Sequence, residues 1–92
     1  MTSKPKLTAD EHADLGKRLA AVRNELQVLE VQLGNAYPRS GPQAAPARNL
    51  EKARKAIDKA RCDLENALFH EHPEQAQTTV YYPPRESWAK AN

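Results

Sequence analysis

Ninety-two residues with a formal net charge of +2 leave room for one domain and carry too small a charge excess to define a partner. Hydrophobic residues make up 39% of the chain and aromatics 5%, so the core is aliphatic and thin, and chains this small need a staple or a partner. A single cysteine, Cys62, excludes an intrachain disulfide, no 18-residue apolar run offers a membrane span, and Met1–Lys6 lacks a secretory apolar segment; the expectation is a cytoplasmic chain.

In chain order, residues 1–7 read as a short, mobile basic arm. Thr8-Ala9-Asp10-Glu11 has the form of a capping box, with Thr8 and Glu11 each serving the other's backbone amide. A first helix is expected over about 8–35, closed by Gly34-Asn35, whose types tolerate the left-handed conformation that ends helices. Within it Gly16 is a weak point, costing about 1 kcal/mol relative to alanine. Pro38, Gly41 and Pro42 mark a loop, and Pro46 suits the start of a second helix over 46–71. Pro73 stops that helix. Residues 73–92 differ in kind. Thr78-Thr79-Val80-Tyr81-Tyr82 favours an extended strand, Pro83-Pro84 favours polyproline geometry, and Arg85–Ala91 has room for one or two helical turns.

The two helices carry matching seams. Leu15, Leu19, Val22, Leu26, Leu29 and Leu33 are spaced 4, 3, 4, 3, 4, and Leu50, Ala53, Ile57, Ala60, Leu64 and Ala67 are spaced 3, 4, 3, 4, 3. Folded back near Gly41, they pair Leu33 with Leu50, Leu26 with Ile57 and Leu19 with Leu64. Between these layers Leu29 meets Ala53, Val22 meets Ala60 and Leu15 meets Ala67. The fold expected is an all-α antiparallel two-helix hairpin with alternating Leu/Ala layers, an extended C-terminal tail, and completion to a four-helix bundle by dimerisation. This register sets Arg54 opposite Glu30 and Asp63 opposite Arg18, both attractive, and Arg23 opposite Arg61, which is repulsive unless an anion or solvent separates them. Along the second helix, Glu51–Lys55, Arg54–Asp58, Lys59–Asp63 and Arg61–Glu65 are i,i+4 pairs.

Three constellations invite a function. His12 faces Glu71 in this register, with His70 and His72 beside it, so His12, His70 and His72 form a candidate metal set at the open end of the hairpin. The bland alternative is a polar end layer, with histidine favoured in the last turn of a helix. Arg48, Lys52, Lys55 and Lys59 form a basic strip on the second helix, suited to phosphate contacts but without interleaved aromatics for base stacking. A solvated, partly neutralised helix face is the plainer account of it. Tyr81, Tyr82 and Trp88 place three of the five aromatics in the tail. They either pack back across an outer strip such as Ala21, Val28 and Val31, or dock to a partner, and Phe69 lies outside the seam as well. Cys62 is an outward position with no triad-like neighbours, and no phosphate loop, paired-carboxylate site or nucleophile elbow is present, so an enzyme is not expected.

The alternation of Leu and Ala layers across about residues 12–70 resembles that of the small plasmid copy-control hairpins. That resemblance implies dimerisation into a four-helix bundle and RNA binding. Tyr82-Pro83-Pro84-Arg85-Glu86 is similar to the Y-x-x-x-[DE] tail signal of the WxG-type secreted hairpins, but the turn reads Gly34-Asn35-Ala36-Tyr37 where that family has Trp-x-Gly. The function expected is a non-enzymatic protein–protein interaction module, a small adaptor or regulator. Its partner is itself or another helical protein, through Tyr81, Tyr82, Trp88, Val28, Val31 and Phe69. Nucleic-acid binding is the first alternative and a metal-tuned hairpin the second. No cofactor, membrane or small-molecule substrate is implied.

Overall fold

The computed structural model describes residues 6–84. Two long helices, α1 (Ala9–Ala36) and α2 (Ala45–Glu71), pack against each other as an antiparallel hairpin. Short 3-10 turns at Pro42–Ala44 and Thr78–Val80 complete the elements, and the described residues contain no strand. No helix among them is long and apolar enough to cross a membrane. The residues ahead of Lys6 lie outside the description, as do Trp88 and the expected turns of Arg85–Ala91.

Local chemistry sets the helix ends. At the start of α1 the Glu11 amide donates to Thr8 Oγ1 at 3.1 Å and the Thr8 amide donates to Glu11 Oε1 at 2.8 Å, so the capping box is complete. At its other end α1 runs straight through Gly34-Asn35. Tyr37 is the cap, extended at φ −130°, with its amide on the Leu33 carbonyl at 3.0 Å. Gly34 is therefore an ordinary helical residue. The left-handed residue of the turn is Gly41 at φ 80°, three residues beyond Pro38, and it is there that the chain reverses into the Pro42–Ala44 turn and α2. α2 ends at Glu71 because Pro73 disfavours the helical region for the residue before it, and His72 sits at φ −135°, ψ 60°.

The cross-helix pairs His12–Glu71, Arg23–Asp58 and Glu30–Arg54 hold the antiparallel register read from the two seams, to within less than a helical turn. Their packing departs from that reading. None of the twelve seam residues is fully buried, and Val22 is 45% exposed. The buried positions of the two helices lie to one side of the seam: His12, Gly16 and Ala20 on α1, and Arg61 and Leu68 on α2.

What covers that side is the segment after Pro73. Thr78–Val80 is a 3-10 turn rather than the expected strand, and it delivers Tyr81, with no exposed surface, against both helices. At Gly16 this segment leaves no room for a side chain: a Cβ built there would lie 1.9 Å from the Val80 carbonyl oxygen. The glycine that looks like a weak point in the helix is thus the seat of a third layer. The tail packs on the His12–Gly16–Ala20 strip, and not on Ala21, Val28 and Val31; Val28 and Val31 remain exposed.

Candidate functional site

Two polar clusters flank Tyr81, and together they form the site. At the open end of the hairpin, His12 projects from the first turns of α1, fully buried, and its Nδ1 is hydrogen-bonded to the Tyr81 hydroxyl at 2.5 Å. The two rings meet edge to face at 5.7 Å between centroids. His12 Nε2 faces Glu71 Oε1 at 3.5 Å, beyond a good hydrogen bond, and is a buried nitrogen with no hydrogen-bond partner. His72 completes the cluster, its ring edge-on to His12 at 5.9 Å and its Nε2 on the Leu7 carbonyl at 2.7 Å. One ligand atom each from His12, Glu71 and His72 lies within 4.8 Å of the others.

The metal set read from the sequence thus changes by one member. His12 and His72 come together, but His70 is exposed and points elsewhere, and Glu71 takes its place. Glu71 was legible by phase, since it falls seven residues after Leu64 and continues the seam. His72 belonged to the set read from the sequence, although a helical projection sends it away from His12. Only the non-helical backbone imposed by Pro73 swings it back.

The second cluster centres on Arg61. Its guanidinium is buried, and Nε and Nη2 both donate to the Tyr81 carbonyl, at 3.0 and 2.7 Å. Nη1 donates to Asp58 Oδ1 at 3.3 Å, and the group stacks 4.5 Å from the centroid of the Tyr82 ring. Arg23 Nε reaches the same Asp58 oxygen at 3.3 Å. The Arg23–Arg61 repulsion expected from the register is therefore relieved by an anion from the protein itself. Arg61 turns to Tyr81 and Asp58 instead of the expected Glu65, whose Oε2 is buried without a hydrogen-bond partner. Asp63 pairs with Lys59 and Arg18 with Asp14, so the expected Asp63–Arg18 pair does not form. Arg54 does meet Glu30, at 2.6 Å. This clasp of Arg61 on a backbone carbonyl had no signal in the sequence, since a carbonyl carries no residue identity.

Burial shapes the acid–base character of the tyrosines. Desolvation, with Glu71 nearby, pushes the Tyr81 phenol above its ordinary 10.0. Tyr82 is raised too, by desolvation first and against the pull of Arg61.

The remaining candidates are dispersed. Tyr81 is core and so is unavailable to a partner, while Tyr82, Val28, Val31 and Phe69 are exposed. Arg48, Lys52, Lys55 and Lys59 all face solvent, with Lys55 paired to Glu51 at 3.3 Å and Lys59 to Asp63 at 3.3 Å. Half of the basic strip is thereby matched with carboxylates on the same helix, and Arg54, beside it, is held by Glu30. Cys62 is exposed. No known protein family, curated protein or solved structure matches the chain.

Proposed function

We propose that this chain is a non-enzymatic protein–protein interaction module, a small adaptor or regulator, that pairs through the side of its hairpin opposite the tail. The observation that carries the reading is the half-open seam. The C-terminal segment covers one side of the helix pair near its open end, at His12, Gly16 and Arg61, and all twelve seam residues remain partly exposed. By helical phase that open side presents Leu15, Val22 and Leu29 from α1 and Ala53, Ala60 and Ala67 from α2. One edge of the surface is large and the other small. A two-fold axis parallel to the helices sets the leucine edge of one copy on the alanine edge of its partner, so the surface is self-complementary in that arrangement and a second copy is the natural occupant. A pairing of this kind also answers the thin core of a chain this short.

Val28 and Val31 on α1 and Phe69 on α2 supply further exposed apolar surface outside the open side. The test is solution mass by light scattering on the full chain and on Val22→Glu. Val22 is exposed in the single hairpin, so the substitution spares that fold but places a charge in the paired face. The expected result is a dimer for the wild-type chain and a helical monomer for the variant. A wild-type chain that is monomeric at micromolar concentration overturns pairing with a second copy.

A further inference from the structure

We infer that His12, Glu71 and His72 form a binding site for a divalent transition-metal ion, with zinc the best match, that cross-links the start of α1 to the end of α2. The donors are two imidazoles and a carboxylate, a set that zinc accepts with a fourth position left for water or another ligand. The distances favour an ion over a direct hydrogen bond. Two ligand atoms on one tetrahedral zinc lie about 3.3 Å apart. His12 Nε2 and Glu71 Oε1 are 3.5 Å apart, too far for a strong hydrogen bond and close to the separation that a shared ion requires.

The independent sign is His12 itself. It is 1% exposed, and its Nε2 is a buried ring nitrogen without a hydrogen-bond partner, directed at the carboxylate. A buried polar atom left unsatisfied is costly, and a metal ion at this point satisfies it. Both imidazoles also carry the outer-shell support that metal-binding histidines need. His12 Nδ1 is held by the Tyr81 hydroxyl and His72 Nε2 by the Leu7 carbonyl, so each ring is oriented by one nitrogen and has the other left for a ligand. With the ion on His12 Nε2, the ring proton sits on Nδ1 and is donated to the Tyr81 oxygen. One ligand atom from each of the three residues already lies within 4.8 Å of the others, so the donors gather round an ion by adjustment of their side chains. Glu71 and His72 are half-buried, so the site is open to solvent on their side.

The consequence is linkage. The ligands come from segments that are far apart in sequence and adjacent only in the folded hairpin, so an ion that binds them stabilises the fold. Through Tyr81 the site also fixes the tail.

The experiment is a calorimetric titration of the full chain with Zn(II) in a non-coordinating buffer, with melting curves with and without chelator. One zinc per chain and a chelator-reversible rise in Tm are expected. Glu71→Gln and His72→Ala should each weaken binding by about tenfold or more, while His70→Ala and Cys62→Ser leave it unchanged. Circular dichroism of the metal-free variants reads folding separately, and Glu71→Gln keeps the side-chain volume should His72→Ala fail to fold. The proposal is overturned by the absence of binding heat and Tm shift. It is equally overturned by wild-type affinity in a folded Glu71 or His72 variant, or by binding that depends on His70 or Cys62.

Discussion

Tyr81 joins the C-terminal segment to both helices through different atoms. Its ring is buried against the His12 side of the helix pair, its hydroxyl orients His12, and its carbonyl receives both arms of the Arg61 fork. A hydroxyl paired with a buried imidazole is expensive to remove, because the partner is left unsatisfied; Tyr81→Phe should cost about 1–3 kcal/mol at neutral pH by urea denaturation. The phenol also makes stability depend on pH in a known direction. Burial and Glu71 raise its folded pKa above the ordinary 10.0, so this contribution is fully present below about pH 10. As pH rises beyond that, the unfolded tyrosine loses its proton while the folded one keeps it, and stability falls. Urea midpoints from about pH 9 to about pH 11 should therefore drop in the wild-type chain. The slope should be shallower in Tyr81→Phe, with the remainder including Tyr82, which is raised by burial as well. Equal slopes in the two proteins would show that the buried phenol is not the titrating group. At this scale Glu71 was readable from the sequence, but the partnership of Tyr81 with His12 was not, because 69 residues separate them and no periodicity links a tail to a helix.

Among elements, α1 and the Thr78–Val80 turn meet at Gly16, where no room is left for a side chain. Two effects of Gly16→Ala oppose each other. Helix propensity favours alanine by about 1 kcal/mol. Against it, the added methyl meets a backbone carbonyl at 1.9 Å, which no rotamer change relieves, so the turn must lift off the helix. Crowding of this kind costs about 1–3 kcal/mol. The clash should win, and Gly16→Ala should lower the thermal midpoint and expose Tyr81 to fluorescence quenchers. A stabilised variant would mean that the turn does not rest on α1. The same strip explains why the tail lies where it does. His12, Gly16 and Ala20 recur every four residues, and at Gly16 and Ala20 the side chains are small enough to form a groove for the backbone of the turn and the ring of Tyr81. Asp58 then closes the other flank by serving Arg23 and Arg61 at 3.3 Å each, which turns a repulsive helix pair into a bridged one.

For the whole molecule, the C-terminal segment is a third layer of the core and not an appendage. A chain ending at Glu74 loses the Tyr81 ring, whose burial is worth about 3–5 kcal/mol by analogy with other large aromatic deletions, and leaves the Arg61 guanidinium without its carbonyl. Small domains have little stability to spare. The truncated chain should lose most of its helical signal and its cooperative melting transition, as read by circular dichroism. Retention of full wild-type stability would show that the two helices suffice.

The sequence by itself determined the helices, the capping box of α1, the stop at Pro73 and the antiparallel register, because these follow from short-range spacing and from heptads whose period survives translation along the chain. It also brought His12 to Glu71, since both lie on helices of known phase. Only the tertiary structure decided which side of the seam is sealed, that Gly16 is a contact and not a flaw, and that Arg61 faces inward. The physical reason is common to all three. They depend on where an irregular segment lands, and its backbone carbonyls and non-helical angles leave no periodic mark on the residues that receive them.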